Sequence, residues 1–150
     1  MIPQVSRRPQ RSGRTALLFA AAFCVSAAAS EARKEAADPG TRRLDALPRD
    51  KHGELVRQGH RIFTRTPENA RRYVGNGMSC SNCHLDAGTR PHAAPMWAAW
   101  GMYPAYLAKT DRVNTFEERV QQCFRFSLNG FPPAVDSHEV RAIVAYAQWL

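Results

Sequence analysis

The sequence predicts an all-α domain whose helices are joined by long loops. Apolar residues recur at helical spacing in three segments, no stretch alternates apolar and polar residues over a useful length, and stretches rich in glycine and proline separate the helical segments. At 150 residues, the chain is long enough for one such domain and a short additional segment, but not for a second domain of ordinary size.

Residues 1–29 have the layout of a secretory signal peptide. Four arginines and no acidic residue precede the apolar and small residues of 15–29, and Ala27 to Ala29 offer a small-residue cleavage site. The apolar run has 15 residues, fewer than the roughly 20 that a membrane-spanning helix needs. We therefore expect export to the periplasm, with membrane anchoring only if the segment is retained. Residues 30–50, which mix charges with proline and glycine, are interpreted as a linker or tether before a domain at 51–150.

The first helix is predicted at 51–64, where apolar residues and one small residue share a face: Leu55, Val56, Gly59, Ile62 and Phe63. The second helix is predicted to start at Thr115, with Glu118 as its capping partner, and to end at Asn129 and Gly130. Its inward face would carry Phe116, Val120, Cys123 and Phe124.

The last helix is predicted to start with Asp136 and Glu139 as a second capping pair. Its predicted buried stripe consists of Val140, Ile143, Val144 and Ala147, with Tyr146 and Trp149 at the flanks. Between the first and second helices, the sequence predicts loops and a short helix around 95–100.

The charge balance argues against a nucleic-acid partner. The chain has 21 basic and 13 acidic residues, and loss of the four arginines of residues 1–29 would leave 17 basic residues and a net charge of +4. No basic stripe interleaved with aromatic residues is visible, as nucleic-acid binding would require. The modest positive charge is compatible with acidic partners or small anions.

Residues 80–84 read C-x-x-C-H, the motif that attaches haem c. The thiols of Cys80 and Cys83 can reach the two vinyl groups of one haem, while His84 presents imidazole to the iron. A structural zinc site would need a second pair of ligands at comparable spacing, which the chain lacks. A thioredoxin-like dithiol would be expected beside a strand-helix-strand pattern and would leave His84 unexplained. The motif therefore predicts one covalently bound haem and a cytochrome c-like domain wrapped around it.

The sixth ligand of the iron is left open by the motif. The candidates that follow it are His92, Met96, Met102, Lys109, Cys123 and His138. Cys123 stands out because, once residues 1–29 are removed, this cysteine on an inward helix face has no obvious disulfide partner in an oxidising compartment. Arg119 lies one helical turn earlier, and a nearby cation lowers the pKa of a thiol and favours the thiolate.

Residues 74–150 resemble the first haem domain of bacterial thiosulfate dehydrogenases, which join two thiosulfates into tetrathionate. The resemblance rests on GNGMSCSNCHLDAGTRPHAAP (75–95), RVNTFEERVQQCFRFSLNGFPP (112–133) and SHEVRAIVAYAQWL (137–150). It implies that Cys123 is the distal ligand of the catalytic haem and His84 the proximal one. It also implies that Arg119, with Arg112 or Lys109, holds the anionic substrate. As in cytochromes c generally, the first and last helices would pack together, with Gly59 permitting close approach and Phe63 and Tyr146 filling the contact.

The resemblance also bears on activity. Members of this family continue into a second haem domain, whereas this sequence contains no further C-x-x-C-H. The first hypothesis is therefore a periplasmic mono-haem cytochrome that transfers electrons in the oxidation of thiosulfate or a related sulfur compound. The alternative hypothesis is a thiosulfate dehydrogenase-like enzyme that uses Cys123, Arg119 and Arg112. Either would require a partner cytochrome or another electron acceptor.

Overall fold

The computed structural model describes residues 44–150, so the predicted signal peptide and most of the predicted linker lie outside the described residues. Within these residues lie four α-helices and two strands: α1 (Lys51–Thr64), α2 (Thr66–Asn69), β1 (Ala105–Leu107), β2 (Arg112–Asn114), α3 (Phe116–Gln122) and α4 (His138–Trp149). Single turns of 3-10 helix, including Cys80–Asn82 and Trp100–Met102, punctuate the loops. The mostly helical architecture confirms the predicted fold class. None of the helices within 44–150 is long and apolar enough to cross a membrane.

The contact between α1 and α4 forms the centre of the domain. Gly59 faces the backbone carbonyl of Ala142 so closely that a Cβ atom at position 59 would overlap it. This close approach lets the rings of Phe63 and Tyr146 pack with their centroids 5.5 Å apart. The predicted pairing of the first and last helices at Gly59 is therefore confirmed.

The start and the buried face of α4 differ from the prediction. Ser137, rather than Asp136, caps the helix, because its hydroxyl accepts a hydrogen bond from Val140 N at 3.2 Å. Glu139 instead binds Arg72 across the surface at 3.2 Å. Tyr146 is only 2% exposed and belongs to the core, which corrects the flanking position given by helix periodicity and confirms the contact with Phe63 that the resemblance implied. The reason is tertiary, since α1 covers the side of α4 on which Tyr146 lies.

The capping box predicted for α3 is present. The hydroxyl of Thr115 accepts from Glu118 N at 3.2 Å, and Thr115 N donates to Glu118 Oε2 at 2.9 Å. The two hydrogen bonds satisfy two backbone N–H groups that would otherwise have no partner at the start of the helix. The sequence alone located this helix start correctly.

After α3 the chain continues into one π-helical turn, Cys123–Ser127, which was not predicted. The buried residues of this region are spaced four apart: Phe116, Val120, Phe124 and Leu128. In a regular α-helix each step of four residues carries a side chain about 40° past a full turn. The π-helical turn is wider than an α-helical turn and is closed by a hydrogen bond from Leu128 N to Cys123 O at 3.0 Å. The wider turn offsets the rotation, so Leu128 still points into the core and is only 2% exposed.

Two short strands were not predicted, because the sequence shows no strand-like alternation of useful length. β1 and β2 pair in antiparallel register, with Ala105 opposite Asn114 and Leu107 opposite Arg112. The side chain of Asn114 is fully buried and accepts a 2.6 Å hydrogen bond from Thr110 in the connecting turn. Strands of three residues are too short to show an alternating pattern, so only the pairing itself reveals them.

The segment before α1 contributes to the packed domain. Leu44 and Leu47 are partly buried against the core, and Arg57 donates to the carbonyl of Leu47 at 2.6 Å. The last residues of the predicted linker therefore contact the domain that follows them.

Candidate functional site

The C-x-x-C-H segment forms a single tight turn. Cys80–Asn82 adopt a 3-10 helix, and His84 N donates to Cys80 O at 3.0 Å. Asn82 folds back so that its Oδ1 accepts from Ser79 N at 2.6 Å. This turn directs the side chains of Cys80, Cys83 and His84 into one cavity.

The cavity and the open solvent at its mouth together contain about 890 Å³ of empty space. Its walls are mainly apolar and come from helices and loops throughout the domain: Phe63, Met78, Ala94, Pro95, Met96, Ala99, Tyr103, Phe116, Val120, Phe124, Leu128 and Ile143. Among the described residues that line it, Arg119 is the only lysine, arginine, aspartate or glutamate. Such a cavity suits a large apolar ligand with a few polar contacts.

His84 is oriented for metal binding. Its Nδ1 lies 2.6 Å from the carbonyl oxygen of Ala94, and its ring packs against Phe63 with centroids 5.7 Å apart. A carbonyl oxygen only accepts hydrogen bonds, which assigns the proton to Nδ1 and leaves Nε2 with a free lone pair. A hydrogen bond from the other ring nitrogen to a backbone carbonyl is a usual way in which proteins orient a ligating histidine.

Cys123 lies where α3 passes into the π-helical turn, and it lines the same cavity. Burial raises the pKa of its thiol, while the positive charges of Arg119 and Lys109 act in the opposite direction. Arg119 therefore has the influence predicted from the sequence, but burial outweighs it. Burial also raises the pKa of Cys80, to about 11.

The structure does not bring every predicted site residue to the cavity. Arg112 lies on β2, where its guanidinium pairs with Glu118 at 3.2 Å, and it is not part of the cavity wall. Its predicted role in substrate binding has no support from this geometry, because its charge is engaged at the surface. Lys109 also lies outside the wall, with its Nζ 4.1 Å from the centroid of the Phe126 ring.

The fold distinguishes among the other candidates for the sixth ligand. Met96, 7% exposed, lines the cavity together with Cys123, whereas His92, Met102 and His138 do not. Met78 is a wall residue that the sequence reasoning missed, because only residues after the motif were considered. Its position two residues before Cys80 was the available signal.

The residues of this cavity fit a covalently bound haem better than a metal ion or a disulfide. Cys80, Cys83 and Cys123 are all free thiols, and the described part of the chain contains no group of three His, Cys, Asp or Glu side chains that could hold a metal ion. Two thiols and an oriented imidazole instead face one apolar cavity. Those are the groups that attachment and ligation of haem c require.

Comparisons with known proteins agree with this donor set. Residues 68–149 match the SoxA/TsdA cytochrome c domain family. The chain is 56% identical over 104 residues to a thiosulfate dehydrogenase of Stutzerimonas stutzeri, covering 69% of this chain and 34% of that protein. It is 50% identical over 105 residues to one of Thiomonas intermedia, covering 70% and 33%.

A solved structure gives the same relationship. The thiosulfate dehydrogenase TsdBA of Marichromatium purpuratum, in its as-isolated form, superposes with a TM-score of 0.70 at 44% identity, covering 75% of this chain and 25% of that one. The chain thus spans about a third of the length of the curated relatives given above and a quarter of the TsdBA chain.

Proposed function

The chain belongs to the SoxA/TsdA cytochrome c domain family, whose cofactor is covalently bound haem c, and we propose that it transfers electrons in the oxidation of thiosulfate. The observation that carries the proposal is the convergence of Cys80, Cys83, His84 and Cys123 on one apolar cavity. In this proposal, Cys80 and Cys83 form the thioether links, and His84 Nε2 is the proximal ligand of the iron. Bound haem c supplies a one-electron acceptor whose potential depends on its axial ligands and its burial.

Cys123 is the proposed distal ligand. It lines the same cavity as the C-x-x-C-H turn. Met96 is the competing ligand from the same wall. The Cys123→Met variant of the holoprotein distinguishes the two: we expect a higher reduction potential and loss of thiolate features from the spectrum. An unchanged spectrum would show that Cys123 is not a ligand of the iron.

A second candidate function is catalysis of thiosulfate oxidation itself. Arg119 favours it, because it is the one described cavity residue with a full positive charge and it lies beside the Cys123 thiol. Joining two thiosulfate ions forms one S–S bond and releases two electrons. In this proposal Arg119 offsets the negative charge of the bound anion, and the electrons leave one at a time to a partner cytochrome.

The test uses mature holoprotein with thiosulfate and ferricyanide as the electron acceptor. Thiosulfate-dependent reduction of ferricyanide supports catalysis, whereas no reduction leaves the electron-carrier function. If catalysis occurs, Arg119→Ala should lower kcat/KM about ten- to a hundredfold, the effect of losing one hydrogen bond to a charged group. Arg61→Ala is the control, because this exposed arginine on α1 pairs with Glu54 at 2.8 Å. Equal activities of the two variants would exclude Arg119 from the site.

Export to the periplasm belongs to the same proposal. Residues 1–29, with their arginine-rich start and apolar run, have the features of a signal peptide, and export is consistent with the binding of haem c. Mass spectrometry of protein made in a host that matures haem c tests both points, since it reports the cleavage site and the added mass of the porphyrin. A porphyrin-free mature chain would overturn the proposal.

A further inference from the structure

The loop that leads into the C-x-x-C-H turn lies directly against the segment that follows Cys123. Gly75 N donates to Leu128 O at 2.8 Å, and a Cβ atom at position 75 would overlap the carbonyl of Asn129. The two backbones therefore meet with no side chain between them. As a result, the segments that carry His84 and Cys123 are fastened to each other near the cavity.

The side chain of Asn76 adds hydrogen bonds to this connection. Its Nδ2 donates to Ser127 O at 3.0 Å, and its Oδ1 accepts from Met78 N at 3.1 Å. A carbonyl can only accept and an N–H can only donate, so the two partners fix which end of the amide is which. The bond to Met78 is a local Asx turn, whereas the bond to Ser127 spans 51 residues of sequence.

Both partners of Asn76 belong to the cavity wall. Met78 precedes Cys80 by two residues, and Ser127 is the last residue of the π-helical turn that begins at Cys123. The turn leaves carbonyls at its end without partners in the helix, and Asn76 supplies a donor to one of them. Because Ser127 is exposed, water can replace the Asn76 donor. Loss of this hydrogen bond should therefore change the position of the π-helical turn more than the stability of the domain.

We propose that Asn76 is a positioning residue which, by joining Ser127 O to Met78 N, sets the position of Cys123 relative to the haem. The inference rests on the proposed binding of haem by Cys80, Cys83 and His84, with Cys123 as distal ligand. The expected effect of breaking the bond to Ser127 is a smaller fraction of haem with a thiolate ligand. Its ratio to thiolate-free haem should fall about three- to tenfold, the range expected for one ordinary hydrogen bond.

The experiment compares two variants of Asn76 as ferric holoproteins. Asn76→Ser keeps an oxygen that can accept from Met78 N in the equivalent serine turn, but it is too short to reach Ser127. Asn76→Asp also keeps the acceptor, and it places a carboxylate oxygen against the Ser127 carbonyl. Electron paramagnetic resonance gives the thiolate-ligated fraction, electrochemistry gives the reduction potential, and thermal unfolding gives stability.

Asn69 provides the matched controls. Its Nδ2 donates to Arg61 O at 3.2 Å and to Arg65 O at 2.8 Å, and it does not line the cavity. The Asn69→Ser and Asn69→Asp variants should therefore lose an amide bond to backbone carbonyls without any change in haem ligation. We expect a lower thiolate fraction in the Asn76 variants alone, with the aspartate giving the larger loss. The potential should rise in Asn76→Ser, which adds no charge; in Asn76→Asp the new negative charge opposes this rise.

Three results would overturn the proposal. The first is a thiolate fraction and potential equal to those of the unaltered protein in both Asn76 variants. The second is an equal change in the Asn69 controls. The third is failure of both Asn76 variants to yield holoprotein when the controls succeed, since the bond would then be needed for folding. Absence of any thiolate signal from the unaltered protein would instead overturn Cys123 as a ligand.

Discussion

A methyl group at position 59 should force α1 and α4 apart. An alanine Cβ there would overlap the carbonyl oxygen of Ala142 and would lie 2.6 Å from its carbonyl carbon and 2.7 Å from Tyr146 Cβ. Ordinary contacts of a Cβ begin at 3.4 Å, and two of these three atoms are backbone, so no change of rotamer relieves the overlap. The helices would have to move apart by at least about 1 Å at a contact that is buried in the core.

The magnitude follows from two opposing effects. Overpacking of this kind costs about 3 kcal/mol at the upper end of its usual range, whereas replacing glycine by alanine inside a helix gains about 1 kcal/mol. Gly59→Ala should therefore destabilise the domain by about 2 kcal/mol. For a domain of this size, that difference lowers the midpoint of thermal unfolding by on the order of 10 °C.

Circular dichroism at increasing temperature measures the effect on the holoprotein. Gly101→Ala is the control, because a Cβ at position 101 meets no atom within 4 Å. The control should unfold within about 2 °C of the unaltered protein. If Gly59→Ala unfolds at or above the temperature of the control, the close approach of α1 and α4 is not the constraint that the geometry indicates.

Two further predictions concern α1 and α4. Tyr146→Phe should lower the free energy of unfolding in urea by about 1 kcal/mol, because the hydroxyl of Tyr146 donates to Ala87 O at 2.7 Å. The control Tyr106→Phe loses an exposed hydrogen bond to Asp111 and should lower it less. Equal losses of stability in the two variants would contradict the reasoning. Burial lowers the pKa of His60, so the unfolded chain binds its proton first as the pH falls below about 6.5, and stability declines through that range. His60→Gln should flatten the decline between about pH 7 and pH 5, and an unchanged slope would show that His60 does not cause it.

The parts of the fold that local sequence controls were predicted well. The Thr115 to Glu118 capping box is formed by residues three apart, so the motif alone determines it. The periodicity of 51–64 likewise predicted α1 with the bounds that the structure has. Family membership now confirms the predicted cytochrome c fold and its covalently bound haem c.

The features that sequence reasoning missed depend on distant partners. Periodicity alone placed Tyr146 at a helix flank, because its own helix gives no sign that α1 covers it, and only the family resemblance implied its contact with Phe63. The π-helical turn after Cys123 requires the buried positions of Phe124 and Leu128 to be known together. Arg112 was proposed as a site residue by resemblance to the family's arginines near the haem; its pairing with Glu118 at the surface, outside the cavity wall, could not be seen from the sequence, and its role stays a prediction.

The sequence by itself determined the chemistry of the site, because Cys80, Cys83 and His84 are neighbours and one local turn is enough to present all three side chains together. The tertiary structure decided what faces them. Cys123 and Arg119 reach the same cavity, Ala94 orients His84, and Asn76 joins the two sides. These contacts lie between residues that are 10 to 51 positions apart along the chain, where hydrogen bonding and core packing, rather than local spacing, determine which groups meet.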